Sequence, residues 1–304
     1  MSRHTLIVFL KRPRAGEVKT RLARSLGAPL AARLYRVLAE TEVLNTAPTA
    51  DAEYDRLFAF TPADAAEEMN AWLPGNVWLP QEGRDLGERM ARAMEAAFDR
   101  GAGRVAIIGS DVPWVSRELV LEAFAALDDH EVALGPALDG GYYLIALAQP
   151  AGGVFESIAW STDTVTSETL RRVAERGWTH GALETLPDID TLDDLRREWH
   201  RIEPLIDDGP LRTALRAHVR LAAEPRRLAL LTKSGCGLCE EMLEVVEPVA
   251  QQRGLEVTML DIREDSELAA LYTYEIPVLL IGGRELCRHR VTREELEARL
   301  EAPF

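Results

Sequence analysis

The sequence predicts two α/β domains in tandem, and three observations carry that prediction. Apolar, β-branched runs alternate with stretches of helical period across the first 200 residues, the same order restarts after Pro225, and all three cysteines (Cys236, Cys239 and Cys287) fall in the last quarter of the 304-residue chain. Alternation of this kind argues for a largely parallel sheet faced by helices.

The elements follow in order. "TLIVFL" (5–10) reads as the first strand, and "APLAARLYRVLAETEVL" (28–44) places Leu30, Leu34, Val37, Leu38 and Val43 or Leu44 near one helical face. "RLFAF" is a strand, "ADAAEEMNAWL" a helix and "NVWLP" a short strand. "DLGERMARAMEAAFDRG" is a helix closed by Gly101, and "RVAIIG" after it is the most buried-looking strand. Ser116 caps the helix "SRELVLEAFAAL", "EVALG" and "GYYLIAL" are strands joined by a turn, and "TDTVTSETLRRVAERG" and "TLDDLRREWHRI" complete the helices. Residues 206–226 read as a short helical linker ending at Pro225, between a first domain of residues 1–205 and a second of 227–304. In the second, "RLALLT" is a strand, "CEEMLEVVEPVAQQRG" a helix, "LEVTMLDI" a strand, "DSELAALYTY" a helix, "IPVLLIGGRELCRH" a hairpin around Gly282 and Gly283, and "TREELEARL" a last helix.

Charge narrows the function. With 35 basic and 50 acidic residues the net charge is −15, which repels nucleic acid and anionic membranes unless a local patch outweighs the field. No apolar run approaches the roughly 20 residues that span a bilayer. The run at 5–10 is too short for a secretory core and leads straight into "KRPR", so the expectation is a soluble cytoplasmic protein.

Against that acidic background, "KRPRAGEVKTR" (11–21) gathers basic side chains around Gly16 at the carboxyl end of the first strand. In open α/β sheets that end is where ligands bind. Loop amides and a following helix N-terminus suit phosphate, and Lys11, Arg12, Arg14, Lys19 and Arg21 would add charge and forked donors. The spacing is neither a Walker A loop nor a dinucleotide fingerprint. A solvated charged loop is the plain alternative.

Three acidic stretches complete the set. In "IIGSDVP" a buried strand delivers Asp111 to the same sheet edge, where a carboxylate suits Mg²⁺ or Mn²⁺ and its phosphates; a turn aspartate is the alternative. "LDGGYY" places Asp139, Gly140 and Gly141 in what reads as a tight turn, with two tyrosines after it that could line a pocket. In "DIDTLDDL" one of Asp188 and Asp190 could cap the next helix, while the other could join Asp111 on a metal.

The ordered motifs "FLKRPRAGEVKTRLARSLG", "DLGERM", "GSDVPWVS", "LGPALDGGYYLIAL", "AWST" and "LPDIDTLDDL" resemble a bacterial transferase family labelled as glycosyltransferases of arsenosugar biosynthesis or radical-SAM/selenodomain-associated transferases, over nearly all of residues 5–200. The resemblance implies the A-type glycosyltransferase/nucleotidyltransferase fold, a Rossmann-like mixed sheet shared with the guanylyltransferases of deazaflavin assembly. It implies Lys19 and Arg21 on nucleotide phosphates, Asp111 and Asp190 on the metal, and Asp139 to Gly141 on the acceptor side. Trp160, Ser161 and Thr162 match a family motif without a derived role. Partners would be a nucleotide sugar or nucleoside triphosphate and a small-molecule acceptor. Glycosyl transfer is the leading expectation and nucleotidyl transfer, releasing pyrophosphate, the alternative.

"SGCGLCEEM" is a C-x-x-C opening a helix, where the dipole stabilises thiolate; Cys236 would attack and Cys239 resolve, with a thiol reductant as partner. Structural zinc competes, but only Cys287 and His289 lie near as further ligands. With Pro277 where thioredoxin-like folds place a cis-proline, residues 227–300 resemble a short glutaredoxin-like domain; "CRHRVT" replaces the family's glutathione-binding GGxxD. A reading of another class is a redox-regulated binding protein with an idle transferase fold.

Overall fold

The computed structural model describes residues 4–50, 52–222 and 227–301. The expected end of the linker at Pro225 lies outside the described residues. The chain forms two compact units, one of residues up to Pro13 with Tyr35–Asp188, the other of Arg14–Leu34 with residues from Ile189 on.

The first unit is built on seven strands: β1 (His4–Lys11), β2 (Asp55–Thr61), β3 (Trp78–Pro80), β4 (Arg104–Ile108), β5 (Val132–Pro136), β6 (Tyr142–Leu147) and β7 (His180–Ala182). Their order is β3-β2-β1-β4-β6-β5-β7. All run parallel except β6, which pairs antiparallel with both β4 and β5. The mixed sheet expected from the sequence is therefore present. Strand alternation splits the residues between two faces. Ile7 and Phe9 of β1, Val105 and Ile107 of β4, and Ile145 and Leu147 of β6 share one core with Met90, Ala93, Met94 and Ala97 of helix Leu86–Asp99. Asp85 caps that helix by accepting the Glu88 amide at 2.8 Å, and Ser116 caps helix Arg117–Ala126 through the Leu119 amide. From β1 the chain steps outward to β2 and β3, then returns to lay β4 on the other side of β1. This reversal opens a crevice beyond the carboxyl ends of β1 and β4.

In the second unit β8 (Arg227–Thr232), β9 (Glu256–Asp261), β10 (Val278–Ile281) and β11 (Arg284–Arg288) form a sheet of order β11-β10-β8-β9. β8 and β9 are parallel, and β10 is antiparallel to β8 and β11. One face packs Leu228, Leu230 and Leu279 on Met242, Val246 and Val249 of helix Gly237–Arg253. The other face packs Ala229, Leu231 and Leu280 with Ala217 of helix Gly209–Ala222, so the stretch read as a linker contributes a packed face. On that helix, His218 is buried; its Nδ1 donates to the Gly283 carbonyl at 2.9 Å and its Nε2 accepts the Tyr272 hydroxyl at 3.0 Å. A carbonyl can only accept, which fixes the tautomer.

Among the described residues no helix is long and apolar enough to cross a membrane.

Candidate active site

A cavity of about 430 Å³ opens in the first unit. The end of β1 gives it Phe9 and Lys11, the loop after β4 gives Gly109, Ser110 and Asp111, and the turn between β5 and β6 gives Asp139 and Gly141. Tyr142, Tyr143, the Trp160–Thr162 segment, Gln81, Arg89 and Met90 also line it. Thus four residues named from sequence, Lys11, Asp111, Asp139 and Gly141, line one cavity.

Backbone pairing sets these groups in place. Tyr35 is buried; its hydroxyl accepts the Lys11 amide at 2.8 Å and lies 3.0 Å from Ser110 Oγ, tying the end of β1 to the loop that carries Asp111. The buried Glu42 carboxylate accepts the Val112 amide at 3.3 Å, and Asn45 donates to the Pro113 carbonyl at 2.9 Å. Gln81 donates to the carbonyls of Leu10 and Ala59 at the ends of β1 and β2.

The Asp139–Gly141 stretch is the tight turn its sequence suggests and also part of the cavity wall. The Asp139 carboxylate accepts the Gly141 amide at 2.8 Å. Gly140 holds φ +89°, and a Cβ there would stand 2.2 Å from the Asp163 carbonyl oxygen, so neither the dihedral nor the space admits a side chain. Thr166 then clasps the turn, its amide on the Gly140 carbonyl and its hydroxyl on that of Gly141. Tyr143 crosses Gly135 and donates to the Glu184 carbonyl at 2.9 Å; burial pushes the Tyr142 and Tyr143 phenols up from their ordinary value.

The remaining basic candidates take other positions. Arg12 reaches Glu68 at 2.9 Å. Gly16 sits in an exposed turn with φ +87°. In the second unit Lys19, with left-handed backbone just before helix Thr20–Leu26, has a side chain only 2% exposed that donates to Asp190 Oδ1 at 2.8 Å, while Arg21 lies 3.8 Å from the same carboxylate. Neither Asp188 nor Asp190 caps the next helix: Thr191 does, in a capping box with Asp194.

Cys236 and Cys239 form a disulfide, with Cys236 just before helix Gly237–Arg253 and Cys239 buried in its first turn. Ile276 shares their core cluster, and the Ile276–Pro277 peptide is cis, as expected. Cys287 is a free, buried thiol in the cluster on the opposite face of the sheet, away from the dithiol, and burial pushes its pKa up to about 11. Among the described residues no three His, Cys, Asp or Glu side chains are grouped to hold a metal.

Sequence reasoning missed Tyr35, Gln81, Arg89 and Ser110. Arg89 and Ser110 lay inside quoted motifs, "DLGERM" and "GSDVPWVS", and Tyr35 inside the quoted helix at 28–44, but nothing in their spacing marked any of them.

Two family profiles match the chain: one described as "Uncharacterized protein conserved in bacteria (DUF2064)" over residues 43–162, the other as a glutaredoxin-like domain (DUF836) over residues 227–301. A phosphoenolpyruvate guanylyltransferase of Sphaerobacter thermophilus is 31% identical over 147 residues, which are 48% of this chain and 70% of that protein. A crystal structure from Desulfovibrio desulfuricans G20, described as a nucleotide-diphospho-sugar transferase, is 34% identical with a TM-score of 0.63, covering 72% of this chain and 98% of that one.

Proposed function

We propose that this chain, which belongs to the DUF2064 family of nucleotide-diphospho-sugar transferase-like proteins and carries a glutaredoxin-like domain behind it, transfers a nucleotidyl group to a small acceptor and exchanges thiols through its second unit. The observation that carries the reading is the cavity at the reversal of strand order, which joins Lys11 and Asp111 at the ends of β1 and β4.

In such a transfer an acceptor oxygen attacks the α-phosphorus and pyrophosphate leaves. The chain's part is to hold the reactants in line and to meet the negative charge that grows on the departing oxygens. Lys11 supplies a positive charge at the cavity, and Tyr35 and Glu42 fix the two loops that present Lys11 and Asp111. Asp111 and Asp139 offer the hard oxygen donors that Mg²⁺ or Mn²⁺ takes when phosphates and water complete its shell, so the residues fit that ion. When bound, the ion would neutralise phosphate charge. Lys19, Arg21 and Asp190 are proposed, on sequence order and the family resemblance, to serve nucleotide phosphates and metal.

Glycosyl transfer, with arsenosugar-type chemistry its narrower form, is the second reading; it is favoured by the likeness to the Desulfovibrio structure. The guanylyltransferase relative favours the first. In the second unit, the reduced Cys236 thiolate would attack a partner disulfide and Cys239 would resolve the mixed disulfide, passing two electrons to the partner and leaving the disulfide seen here. A thiol reductant would reset it.

Incubating the full chain with each nucleoside triphosphate or nucleotide sugar, Mg²⁺ or Mn²⁺ and a panel of acceptors separates the readings by product. Pyrophosphate release supports nucleotidyl transfer, and nucleoside diphosphate release supports glycosyl transfer. Failure to bind any nucleotide would return the fold to an idle scaffold.

A further inference from the structure

Helix Thr20–Leu26 and the Asp190 segment belong to the same compact unit as the dithiol, although both lie far from it in sequence. Each is seated on the redox sheet. Helix Thr20–Leu26, which Lys19 precedes, touches β11 and helix Leu192–Arg197. Leu192, two residues after Asp190, meets the β10–β11 turn. There Gly283 holds φ +74°, and a Cβ would stand 3.1 Å from Leu192 Cδ2 and 2.6 Å from the His218 carbonyl oxygen. Only glycine lets helix Gly209–Ala222 and Leu192 close on that turn.

Gly283 is also the far end of a buried run of contacts that starts at the disulfide. Cys239, 1% exposed, shares a cluster with Ala217, Tyr272 and Ile276, and Cys236 packs on it. The Tyr272 hydroxyl donates to His218 Nε2 at 3.0 Å, and His218 Nδ1 donates to the Gly283 carbonyl at 2.9 Å. The path therefore runs from the dithiol through Tyr272, His218, Gly283 and Leu192 to Asp190, whose carboxylate holds Lys19.

We propose that the Cys236–Cys239 couple is a redox switch on the Lys19–Asp190 pair: the disulfide keeps the pair closed, and its reduction loosens the pair and raises nucleotide affinity. Two electrons and two protons from a dithiol reductant break the S–S bond and leave two thiols, while the reductant closes to its own disulfide. Unbonded sulfurs need more room than bonded ones, and buried Cys239 obtains it only from its neighbours, Tyr272 and Ile276 among them. A shift of Tyr272 moves the hydroxyl that fixes His218, and with it the turn on which Leu192 rests. While the pair is closed, the Lys19 ammonium and the Asp190 carboxylate neutralise each other, which leaves less charge for a phosphate or a metal. The link to nucleotide rests on the role proposed above for these two residues; the switch itself is read without it.

Hydrogen exchange of the full chain, oxidised and then reduced with dithiothreitol, is the test. It is read by mass spectrometry in wild type and Tyr272→Phe, with a nucleoside triphosphate and Mg²⁺ titrated into both redox states. Reduced wild type should exchange about five-fold faster or more over residues 14–34 and 189–198, the lower end of ordinary coupling between sites, with helix Arg117–Ala126 of the first unit unchanged. Tyr272→Phe keeps the ring and removes the hydroxyl, so that response should be largely lost while peptides at Cys236 and Cys239 still respond. Nucleotide should bind the reduced wild type about five-fold tighter or more. Equal exchange in the two states, slower exchange after reduction, an equal response in helix Arg117–Ala126, a Tyr272→Phe response matching the wild type's, or one nucleotide affinity in both states would each overturn the proposal. Should Tyr272→Phe not fold, the wild-type comparison decides on its own. The exchange response without nucleotide binding in either state supports the switch and counts against the transferase reading alone.

Discussion

Replacing Gly140 by alanine tests whether the turn between β5 and β6 is locked to the Trp160–Thr166 segment. The new methyl would stand 2.2 Å from the Asp163 carbonyl oxygen and 2.6 Å from its carbonyl carbon and Cα. Ordinary contact lies near 3.4 Å or beyond, so that backbone must retreat by about 1 Å. Retreat is opposed by two Thr166 hydrogen bonds, the amide to Gly140 at 3.0 Å and the hydroxyl to Gly141 at 2.6 Å. Overpacking of this kind costs about 1–3 kcal/mol, and a left-handed alanine adds about 1–2 kcal/mol, for a loss of roughly 2–5 kcal/mol. Five of the six tryptophans (Trp72, Trp78, Trp114, Trp160 and Trp178) lie in the first unit, so fluorescence-monitored urea unfolding reports on it. Gly101→Ala is the control: φ is +93°, but nothing lies within 4 Å of its Cβ, so only the dihedral cost of about 1–2 kcal/mol should appear. A Gly140→Ala loss no larger than the control's would refute the clash and the locking with it.

Lys19→Ala and Arg21→Ala should each cost about 1–3 kcal/mol of nucleotide affinity, with a penalty that shrinks as salt rises, measured by calorimetry at two ionic strengths. Cys287, whose thiol is held up to about 11 by burial, should resist iodoacetamide at pH 8 in the folded chain, while reduced Cys236 is labelled; peptide mapping reads both. Burial lowers the His218 pKa below its ordinary 6.5, so the unfolded chain binds that proton more readily than the folded one. Its contribution is complete above the unfolded value and lost as pH falls through it, so the melting temperature of the second unit should drop between about pH 7 and pH 5, less steeply in His218→Asn.

Much of this architecture was legible because apolar periodicity is a local signal. The strands at 5–10 and 104–108 and the helix at 86–99 follow from it directly, as does the Ser116 cap. What escaped is what depends on distant partners. The insertion of β6 between β4 and β5 is a matter of pairing register that no single strand encodes. Lys19 reads as one more exposed base, yet Asp190, 171 residues away, accompanies its burial. Leu44 fits the apolar face of its helix by spacing and is 74% exposed, whereas Tyr35, on the same helix, carries the hydroxyl that joins Lys11 to Ser110. Asp111 and Asp139 were legible because each ends a strand or opens a turn. Arg89 was not, because a helical arginine beside a cavity has the same spacing as one in solvent.

Under the proposed function, Asp111, just beyond the end of β4, is the group through which a nucleotide and its metal would be held. The direct measurement is calorimetric titration of nucleoside triphosphates with Mg²⁺ or Mn²⁺ into the wild type and into Asp111→Ala, with melting temperatures recorded for both. Metal-dependent binding in the wild type that falls at least about ten-fold in the variant, with melting temperatures within a few degrees, is the predicted result. Equal binding in the two proteins, or binding in the wild type that ignores the metal, would contradict it.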